Sequence, residues 1–362
     1  MAGAALSLFT DFFTHDTGPA YFSGPDEIIN DAQLRNYASI EAFFRTKKAV
    51  QGGATIKDVV LLDDPGTAAT YLPGEAATVT NVQVGSTITV PWRFLRVYIT
   101  WTEAEILLNE GGGGGRGAQF QQYKNLKRAK YQAAYTSLLT LLEKKMVAAA
   151  SNADMEANTG QEPYSLLATL TTDGLAPTGF TTVQGINPST KAKWRNQTAN
   201  WTAATPYDTD NGIVAGFDEI SQLVIFKRPP NAQQYFDSSE FRRHVIFTNR
   251  EGRRLYMKAL RANNDITRAG PQDEAYGSPV FNNIPVVNNE GLDDASTFTA
   301  AQPGFLFINM NYLKMVFHRD KFMQVGTPKA FPDKPDTMVV WIDTYCNLFN
   351  QSRQRHGYLS AV

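Results

Sequence analysis

The sequence predicts an α+β protein in which a long two-stranded ribbon precedes an unusually long helix and a mixed lobe. Three observations lead to this prediction. Two strand-like runs flank a polar stretch between residues 54 and 100, a segment without Gly or Pro extends from 118 to 150, and shorter apolar clusters fill the remainder. The chain has 362 residues, which is enough for more than one lobe with a core of its own.

Composition and charge exclude several classes of protein. Hydrophobic residues make up 43% and charged residues 19% of the chain, which is typical of an ordered protein with slightly few charges. The formal net charge of −1 gives no basic field that would indicate nucleic-acid binding as the main task. Cys346 is the only cysteine, which excludes an intramolecular disulfide. The sequence contains no secretory signal, so we expect synthesis in the cytoplasm. Its apolar runs are all well short of the ~18 residues that a membrane-spanning helix needs, so we expect no membrane partner.

The first hundred residues predict an arm followed by the ribbon. Within residues 1–50, only the stretch 31–45 has apolar residues at helical spacing, and it is too short to bury a core alone. Strands at about 56–62 and 86–100, rich in β-branched and aromatic residues, flank a polar tip at 63–85. A lone hairpin is marginal in water, so the ribbon is expected to need a neighbouring surface.

The strongest helical pattern follows a glycine run at residues 111–115. From residue 118 to 150, aromatic and aliphatic residues recur at helical spacing, while Lys and Arg occupy other faces. A helix of this length would extend ~50 Å, several times the usual length, and therefore indicates a structural spine.

The rest of the chain predicts a mixed lobe. Residues 151–212 are rich in Gly, Pro, Asn and Thr and are expected to be mostly loops. Beyond them, the pattern predicts a short helix at 256–261 and strands at 280–287, 305–317 and 337–348.

Two patterns resemble sites that bind nucleotides, and each has a simpler explanation. Residues 112–117 formally satisfy G-x-G-x-x-G, but any glycine run does so, and the ribose-binding acid would fall inside the long helix. A flexible joint between ribbon and spine is the simpler interpretation. The triplet 318–320, His-Arg-Asp, lacks the asparagine and the Asp-Phe-Gly of a kinase, so we expect His318 to be a partly buried ring at a strand end.

Metal sites and hydrolase sites are equally poorly supported. The residues Asp208, Asp210 and Glu219 loosely match a calcium loop, but Gly212 falls one place early, and an Asx-rich turn explains them. The histidines and the cysteine lack zinc-site spacing, and no P-loop, G-x-S-x-G or H-E-x-x-H pattern is present. The sequence therefore predicts no catalytic, cofactor-binding or metal-binding residues and no enzyme activity.

Three stretches in the second half of the chain carry a more specific signal. They are Gly185-Ile186-Asn187-Pro188 with Trp194-Arg195-Asn196-Gln197; Asn309, Tyr312 and Leu313 with His318 and Asp320; and Asn347-Leu348, Asn350, Arg353, Arg355, Gly357 and Leu359. Their order, after an arm, a ribbon and a spine helix, resembles the major capsid proteins of tailed bacteriophages with the Hong Kong 97 fold. Lys193 replaces one tryptophan of a family pair, and Cys346 replaces a glycine. The resemblance spans residues from about 40 to the C-terminus.

The resemblance implies a Hong Kong 97-type capsid fold with five segments. These are an N-terminal arm at 1–50, an E-loop at 51–100, a P-domain at 101–205 with the spine helix at 118–150, an A-domain at 206–304, and a return to the P-domain at 305–362. It implies a structural protein of the virion that self-assembles as hexamers and pentamers into the icosahedral head, after a stage in the host cytoplasm.

Partners follow from the same resemblance. They would be other copies of the chain, a portal, a separate scaffolding protein, a possible cement protein, and packaged double-stranded DNA that lines the shell non-specifically. Lys124 and Arg128 of the spine helix either face this DNA or are simply solvated or paired. We also expect the chain to enter the shell uncleaved, because the arm-like segment begins almost at Met1 and leaves no room for a helical pre-domain.

Other interpretations stay open from the sequence alone. An encapsulin nanocompartment has the same fold but encloses protein cargo. An uncharacterised enzyme would use the loop-rich β-lobe as its site and would contain one concentrated polar pocket. A tail or decoration protein is the remaining alternative.

Overall fold

Two paired strands, a long helix and two six-stranded sheets are the main elements of the computed structural model. The structure describes residues 37–62, 70, 85–105, 116–147, 155–156, 160–224, 244–262, 279–282, 284–293 and 303–362, without the side chains of 116–128 and 335. The chain divides into two compact units. Of the described residues, unit 1 holds Arg96–Leu139 and Met323–Asp343, and unit 2 holds 37–95, Thr140–Phe322 and Thr344–Val362.

The predicted ribbon strands are present, and the second of them is shorter than expected. After helix α1 (Ala38–Arg45) and strand β1 (Lys48–Val50), β2 (Thr55–Leu61) pairs antiparallel with β3 (Gly85–Pro91). The predicted second strand at 86–100 is two strands, because β3 ends at Pro91, which has no N–H to continue the ladder. Its continuation, β4 (Arg93–Thr102), pairs with a different sheet. Residues 63–84 of the predicted tip, with the exception of residue 70, lie outside the described residues.

One face of the ribbon is buried and the other is exposed. Ile56, Ile88 and Val90 are buried in unit 2, as expected for alternate residues of paired strands. On the opposite face, Val59 is 67% and Leu61 is 76% exposed.

The spine helix is confirmed, with bounds slightly earlier than predicted. Helix α2 (Arg116–Val147) has 32 residues, and residues 148–150 of the predicted range lie outside the described residues. Its buried stripe repeats every four residues, at Ala134, Leu138, Leu142 and Met146. No helix of the described residues is long and apolar enough to cross a membrane.

The loop-rich segment that follows contains a short helix, α3 (Leu166–Thr169), a 3₁₀ turn at Ala192–Trp194 and strand β5 (Gln197–Trp201). Helix α4 (Ile213–Val224) comes next. Strand β6 (His244–Thr248) then leads into α5 (Arg250–Ala262), which contains the predicted helix at 256–261. The predicted strand at 280–287 is a hairpin, β7 (Val280–Phe281) and β8 (Ile284–Asn288), followed by α6 (Glu290–Asp293).

One six-stranded sheet and two helices form the main core of unit 2. Strands β9 (Phe305–Asn309) and β14 (Gly357–Ala361) complete this sheet, whose order is β5-β14-β9-β6-β8-β7. Helices α4 and α5 pack on it, and the ring of Phe217 stacks on Tyr256 at 4.6 Å between centroids. All five residues of β9 are buried, as expected for a central strand.

The second six-stranded sheet is organised around one long strand, β13 (Lys334–Asn350). In unit 2, β10 (Leu313–His318) pairs with its second half and β1 pairs with β10. In unit 1, β11 (Gln324–Val325) and β12 (Lys329–Phe331) pair with its first half. The predicted strand at 305–317 is therefore two strands, β9 and β10, in different sheets. A 3₁₀ turn at Arg353–Arg355 connects β13 with β14.

Candidate functional site

Polar residues from the first and third of the sequence motifs, with one further glutamine, meet in the interior of unit 2. We call the following six residues the polar network: Gln184, Asn196, Asn347, Asn350, Arg353 and His356. None of them is more than 4% exposed. Burying a polar group without a hydrogen-bond partner costs on the order of 1–3 kcal/mol in proteins, so the stability of this region depends on how each group is satisfied.

The guanidinium group of Arg353 donates to four acceptors from four different residues. Nε donates to the carbonyl oxygen of Thr169 at 2.8 Å, and Nη1 to that of Trp194 at 3.1 Å. Nη2 donates to the carbonyl oxygen of Leu175 and to Oδ1 of Asn196, both at 3.0 Å. Burial lowers the pKa of Arg353 to about 9, which still leaves the group charged at neutral pH. One buried charge thus joins the loop segment 169–196 to the 3₁₀ turn.

The side chain of Asn196 extends this connection, because it bonds to both backbone groups of Thr171 as a neighbouring β-strand would. Its Oδ1 accepts the N–H of Thr171 at 3.2 Å, and its Nδ2 donates to the carbonyl oxygen of Thr171 at 2.8 Å. Next to it, the indole N–H of Trp194 donates to the carbonyl oxygen of Val183 at 3.0 Å. The loop segment is therefore held by side-chain hydrogen bonds where a regular ladder is absent.

Gln184 links this loop to the end of β13 and to the ribbon. Its Nε2 donates to the carbonyl oxygen of Leu348, and its Oε1 accepts the N–H of Asn350, both at 3.1 Å. Its own carbonyl oxygen accepts the N–H of Thr89 in β3 at 3.0 Å. The backbone of Gln184 has φ of +56°, in the left-handed region, and Gly185 follows at +83°. Such a conformation is unfavourable for a non-glycine residue and persists because the surrounding bonds determine it.

Asn347 fixes the root of the ribbon. Its Nδ2 donates to the carbonyl oxygen of Pro91, the last residue of β3, at 2.7 Å. Its Oδ1 accepts the N–H groups of Tyr164 and Leu348, each at 2.8 Å. Burial, together with the neighbouring Glu156, raises the pKa of Tyr164, whose hydroxyl donates to the Glu156 carboxylate at 2.9 Å.

His356 is held neutral chiefly by its burial. Its Nδ1 accepts the N–H of Asn309 at 3.1 Å, so the ring proton lies on Nε2, which faces Oδ1 of Asn350 at 3.2 Å. Burial, and secondarily the charge of Arg353, lowers the pKa of His356 to about 3. His244 lies on β6, in the sheet that β9 and β14 complete, and burial alone lowers its pKa to about 4.

A second polar cluster attaches α1 to the spine helix within unit 2. The carboxylate of Glu143 accepts the N–H of Ser39 at 3.0 Å and that of Ile40 at 2.9 Å, in the first turn of α1. The Nδ2 of Asn289 donates to the hydroxyl of Ser39. Burial raises the pKa of Glu143, and the two backbone N–H donors oppose that rise. Glu143 thus supplies from another helix the cap that α1 lacks locally.

The structure describes only part of the two nucleotide-binding motifs. The glycine run at 111–115 lies outside the described residues, and Arg116 and Gly117 begin α2. His318 is half-buried at the end of β10, with its ring 5.7 Å from that of Trp92, as predicted. Lys124 also lies on α2, as does Arg128, but their side chains are not among those described.

The calcium-like sequence forms the predicted Asx turn. Oδ1 of Asp208 accepts the N–H of Asp210 at 3.4 Å. Glu219 takes no part in this turn and lies further along the chain, on α4. Gly212 is required at its position, because a Cβ there would lie 2.2 Å from the carbonyl oxygen of Asp208. Within the described residues, no group of three or more His, Cys, Asp and Glu side chains could hold a metal ion. The thiol of Cys346 is buried, which raises its pKa to about 12.

The polar network was not predicted from the sequence. Four of its six residues are quoted in the motifs, and His356 lies within the third of them, but polar residues are normally expected at the surface. One signal was present: Asn347 and Asn350 alternate with apolar residues near the end of the predicted strand at 337–348, and a buried amide there needs partners. Those partners are mostly backbone groups far away in sequence, which no local pattern reveals.

Comparison with known proteins identifies the fold. No protein-family model matches the sequence, and no curated protein matches it. Solved structures do match. A chain of the Cyanophage A-1(L) capsid is 14% identical, with a TM-score of 0.59, over 92% of this chain and 95% of that one.

Two further structures match to a similar extent. The capsid of Myoviridae Phage XM1 gives 12% identity and a TM-score of 0.55, over 94% of this chain and 97% of that one. A chain of Mycobacterium phage Bobi gives 9% identity and a TM-score of 0.54, over 95% of each chain. The chain therefore has the α+β fold of tailed-phage capsid proteins, the Hong Kong 97-type fold predicted from its motifs.

Proposed function

We propose that the chain is the major capsid protein of a tailed bacteriophage, which self-assembles as hexamers and pentamers into an icosahedral head. The observation that carries this proposal is the fold match, which extends over 92% to 95% of the chain for the three phage structures. A match confined to one lobe would fit a shared building block, whereas a match of this extent includes the ribbon, the long helix and both six-stranded sheets.

The exposed surfaces support a role in assembly. The outer face of the ribbon exposes Val59 and Leu61, two large aliphatic side chains that a single subunit leaves in water. This apolar area is removed from water when a neighbouring copy of the chain covers it. Many weak contacts of this kind sum to a closed shell without any single strong interface.

The buried polar clusters support the same role from inside the subunit. Asn347 and Gln184 fix the ribbon at its root, and Glu143 fixes helix α1, which lies within the proposed arm. An assembly protein needs its projecting segments to leave the core at defined angles, since otherwise contacts with neighbours would be lost to conformational entropy.

The segment roles are part of the proposal. Residues 1–50 would act as the N-terminal arm, 51–100 as the E-loop, 101–205 and 305–362 as the P-domain, and 206–304 as the A-domain. The A-domain strands β6, β7 and β8 would then share their sheet with three P-domain strands, β5, β9 and β14.

The proposed partners are a portal, a separate scaffolding protein, a possible cement protein and packaged double-stranded DNA. The polar network supports a structural and not a catalytic role, because it is closed to solvent and its polar atoms, apart from Nδ2 of Asn350, are used in internal hydrogen bonds. The proposed location is the virion, after synthesis in the host cytoplasm.

An encapsulin shell is the alternative that shares the fold. The phage-capsid neighbours, with TM-scores of 0.54 to 0.59, favour a phage head. The contents of particles purified from the producing cells distinguish the two: a phage head yields double-stranded DNA, and an encapsulin yields a protein cargo.

Electron microscopy of the purified chain tests the proposal directly. We expect rings of five or six subunits, or closed shells, as concentration and crowding increase. A compact monomer under every such condition would contradict the proposal.

A further inference from the structure

The two helices that cover the main sheet of unit 2 carry opposite charges. The segment 206–224, which ends with α4, contains four carboxylates and no Lys or Arg. Helix α5 contains five Lys and Arg residues and one Glu. The two segments therefore differ in formal charge by several units although their helices lie side by side on one sheet.

The charges of α5 lie on its exposed face. Arg250, Arg254, Lys258 and Arg261 are all exposed and follow one another at intervals of three or four residues, which places them in one stripe along the helix. Arg254 forms an ion pair with Glu251 of the same helix. Lys258 has no ion-pair partner among the described residues.

The acidic residues lie on α4 and in the turn before it. Asp210, Asp218 and Glu219 are exposed there. Leu223, one helical turn after Glu219, is 43% exposed. An exposed leucine beside carboxylates is a surface that combines apolar area with charge, as protein contact sites do.

Two complementary faces on one molecule favour contact between copies. If the acidic face of one copy meets the basic face of the next, the contact is head-to-tail, and head-to-tail contacts close into rings when the rotation permits. A polyanion would use the basic face alone and would leave the acidic face and Leu223 without a function.

We propose that the acidic face of α4 and its preceding turn docks against the basic face of α5 in a second copy of the chain, within the ring of a capsomer. This inference rests on the proposed function, since it concerns the contacts of that assembly. Opposite charges on the two surfaces steer their encounter, and such steering accelerates association by ~10- to 1,000-fold at low ionic strength.

Charge reversal tests the docking. The acid-reversed variant is Asp210→Lys with Glu219→Lys, the base-reversed variant is Arg250→Glu with Lys258→Glu, and the third variant combines all four changes. Lys193→Glu is the matched control, because Lys193 is exposed on the 3₁₀ turn before β5. Ring formation is followed by light scattering and electron microscopy at low and high salt, and thermal unfolding verifies that each variant is folded.

We expect each two-residue variant to form rings at least ~10-fold more slowly than wild type at low salt, and the four-residue variant to recover to within a few-fold of wild type. Added salt should reduce these differences, and Lys193→Glu should behave as wild type. Folded two-residue variants that assemble as wild type would overturn the inference, as would a four-residue variant no better than either.

Two other outcomes distinguish failure of the docking from failure of the proposed function. If only the base-reversed variant forms rings more slowly, the acidic face takes no part in the contact and the docking is wrong. If the wild-type chain forms no rings under any condition, the proposed function fails and the inference fails with it.

Discussion

The polar network and the hairpin formed by β12 and the start of β13 use polar residues in opposite ways. In the network, every member is buried, and the guanidinium of Arg353 alone donates to four acceptors. Along the hairpin segment, residues 324–334 are all exposed. Its strands pair with each other, but neither face is covered within unit 1.

This difference distinguishes the residues that stabilise the folded subunit from the residues that are available for contacts with neighbouring subunits. Buried, satisfied hydrogen bonds specify one arrangement of loop, ribbon root and C-terminal segment, and losing one partner leaves the others unpaired in a medium of low dielectric. A hairpin exposed on both faces contributes little to folding and is marginal by itself. We therefore expect mutations in the network to unfold the subunit and mutations in the hairpin to affect assembly.

The largest effect is expected at Arg353. The substitution Arg353→Met keeps the apolar stem but leaves its buried acceptors without a donor, so the free energy of unfolding should fall by roughly 3–5 kcal/mol. Arg355→Met is the matched control in the same 3₁₀ turn, because Arg355 is only half-buried and lies over the ring of Tyr312 at 5.7 Å. Its substitution should cost less than about 1 kcal/mol. Equal losses in denaturant titrations of the two variants would remove the distinction.

A smaller effect is expected from acid. The folded subunit keeps His356 neutral down to a pKa of about 3, whereas the unfolded chain protonates it near its ordinary value of 6.5. The unfolded state therefore binds more protons between these values, and stability falls as the pH drops below 6.5. Between pH 7 and pH 5, this linkage amounts to about 2 kcal/mol for a single histidine.

The variant His356→Asn isolates this contribution, because its side-chain oxygen can still accept the N–H of Asn309. Glu143 has the opposite sign, since a raised pKa makes its contribution to stability decline as the pH rises, but it is present in both proteins and cancels in the comparison. We expect wild type to lose about 2 kcal/mol more than His356→Asn between pH 7 and pH 5. Parallel stability curves would show that His356 is accessible to protons in the folded state.

The smallest effect on folding is expected in the hairpin. Phe331, at the end of β12, is 37% exposed, so Phe331→Ser should change the free energy of unfolding by less than about 0.5 kcal/mol. We expect the same change to reduce the yield of shells, because the exposed ring is available to a neighbour. A marked drop in the thermal midpoint would place the hairpin among the stabilising elements instead.

The sequence predicted the elements whose signal is local. The spine helix was expected at 118–150 and lies at Arg116–Val147, because the absence of Gly and Pro after Gly117 and a regular apolar stripe define a helix without tertiary information. The strands of the ribbon were also found, but not the break at Trp92. That break depends on Pro91 and on Asn347, which lies more than two hundred residues away in sequence.

The polar network could not be predicted for the same reason. A residue such as Gln184 becomes structural only when the backbones of Leu348 and Asn350 are brought to it, and its positive φ is visible only in the folded chain. The order of the motifs was nevertheless informative. It indicated the fold correctly, because the positions it rests on, Asn196, Asn347 and Arg353 among them, hold the interior of unit 2 together.

Hydrogen exchange on free and assembled protein tests the division between the two regions most directly. In the free subunit, the amides of Tyr164, Leu348 and Asn350, which donate to buried side chains, should already be strongly protected. Residues 329–338 of the hairpin should exchange rapidly there and become protected only in the shell. Hairpin exchange that assembly leaves unchanged, or network amides that gain protection only in the shell, would contradict this account.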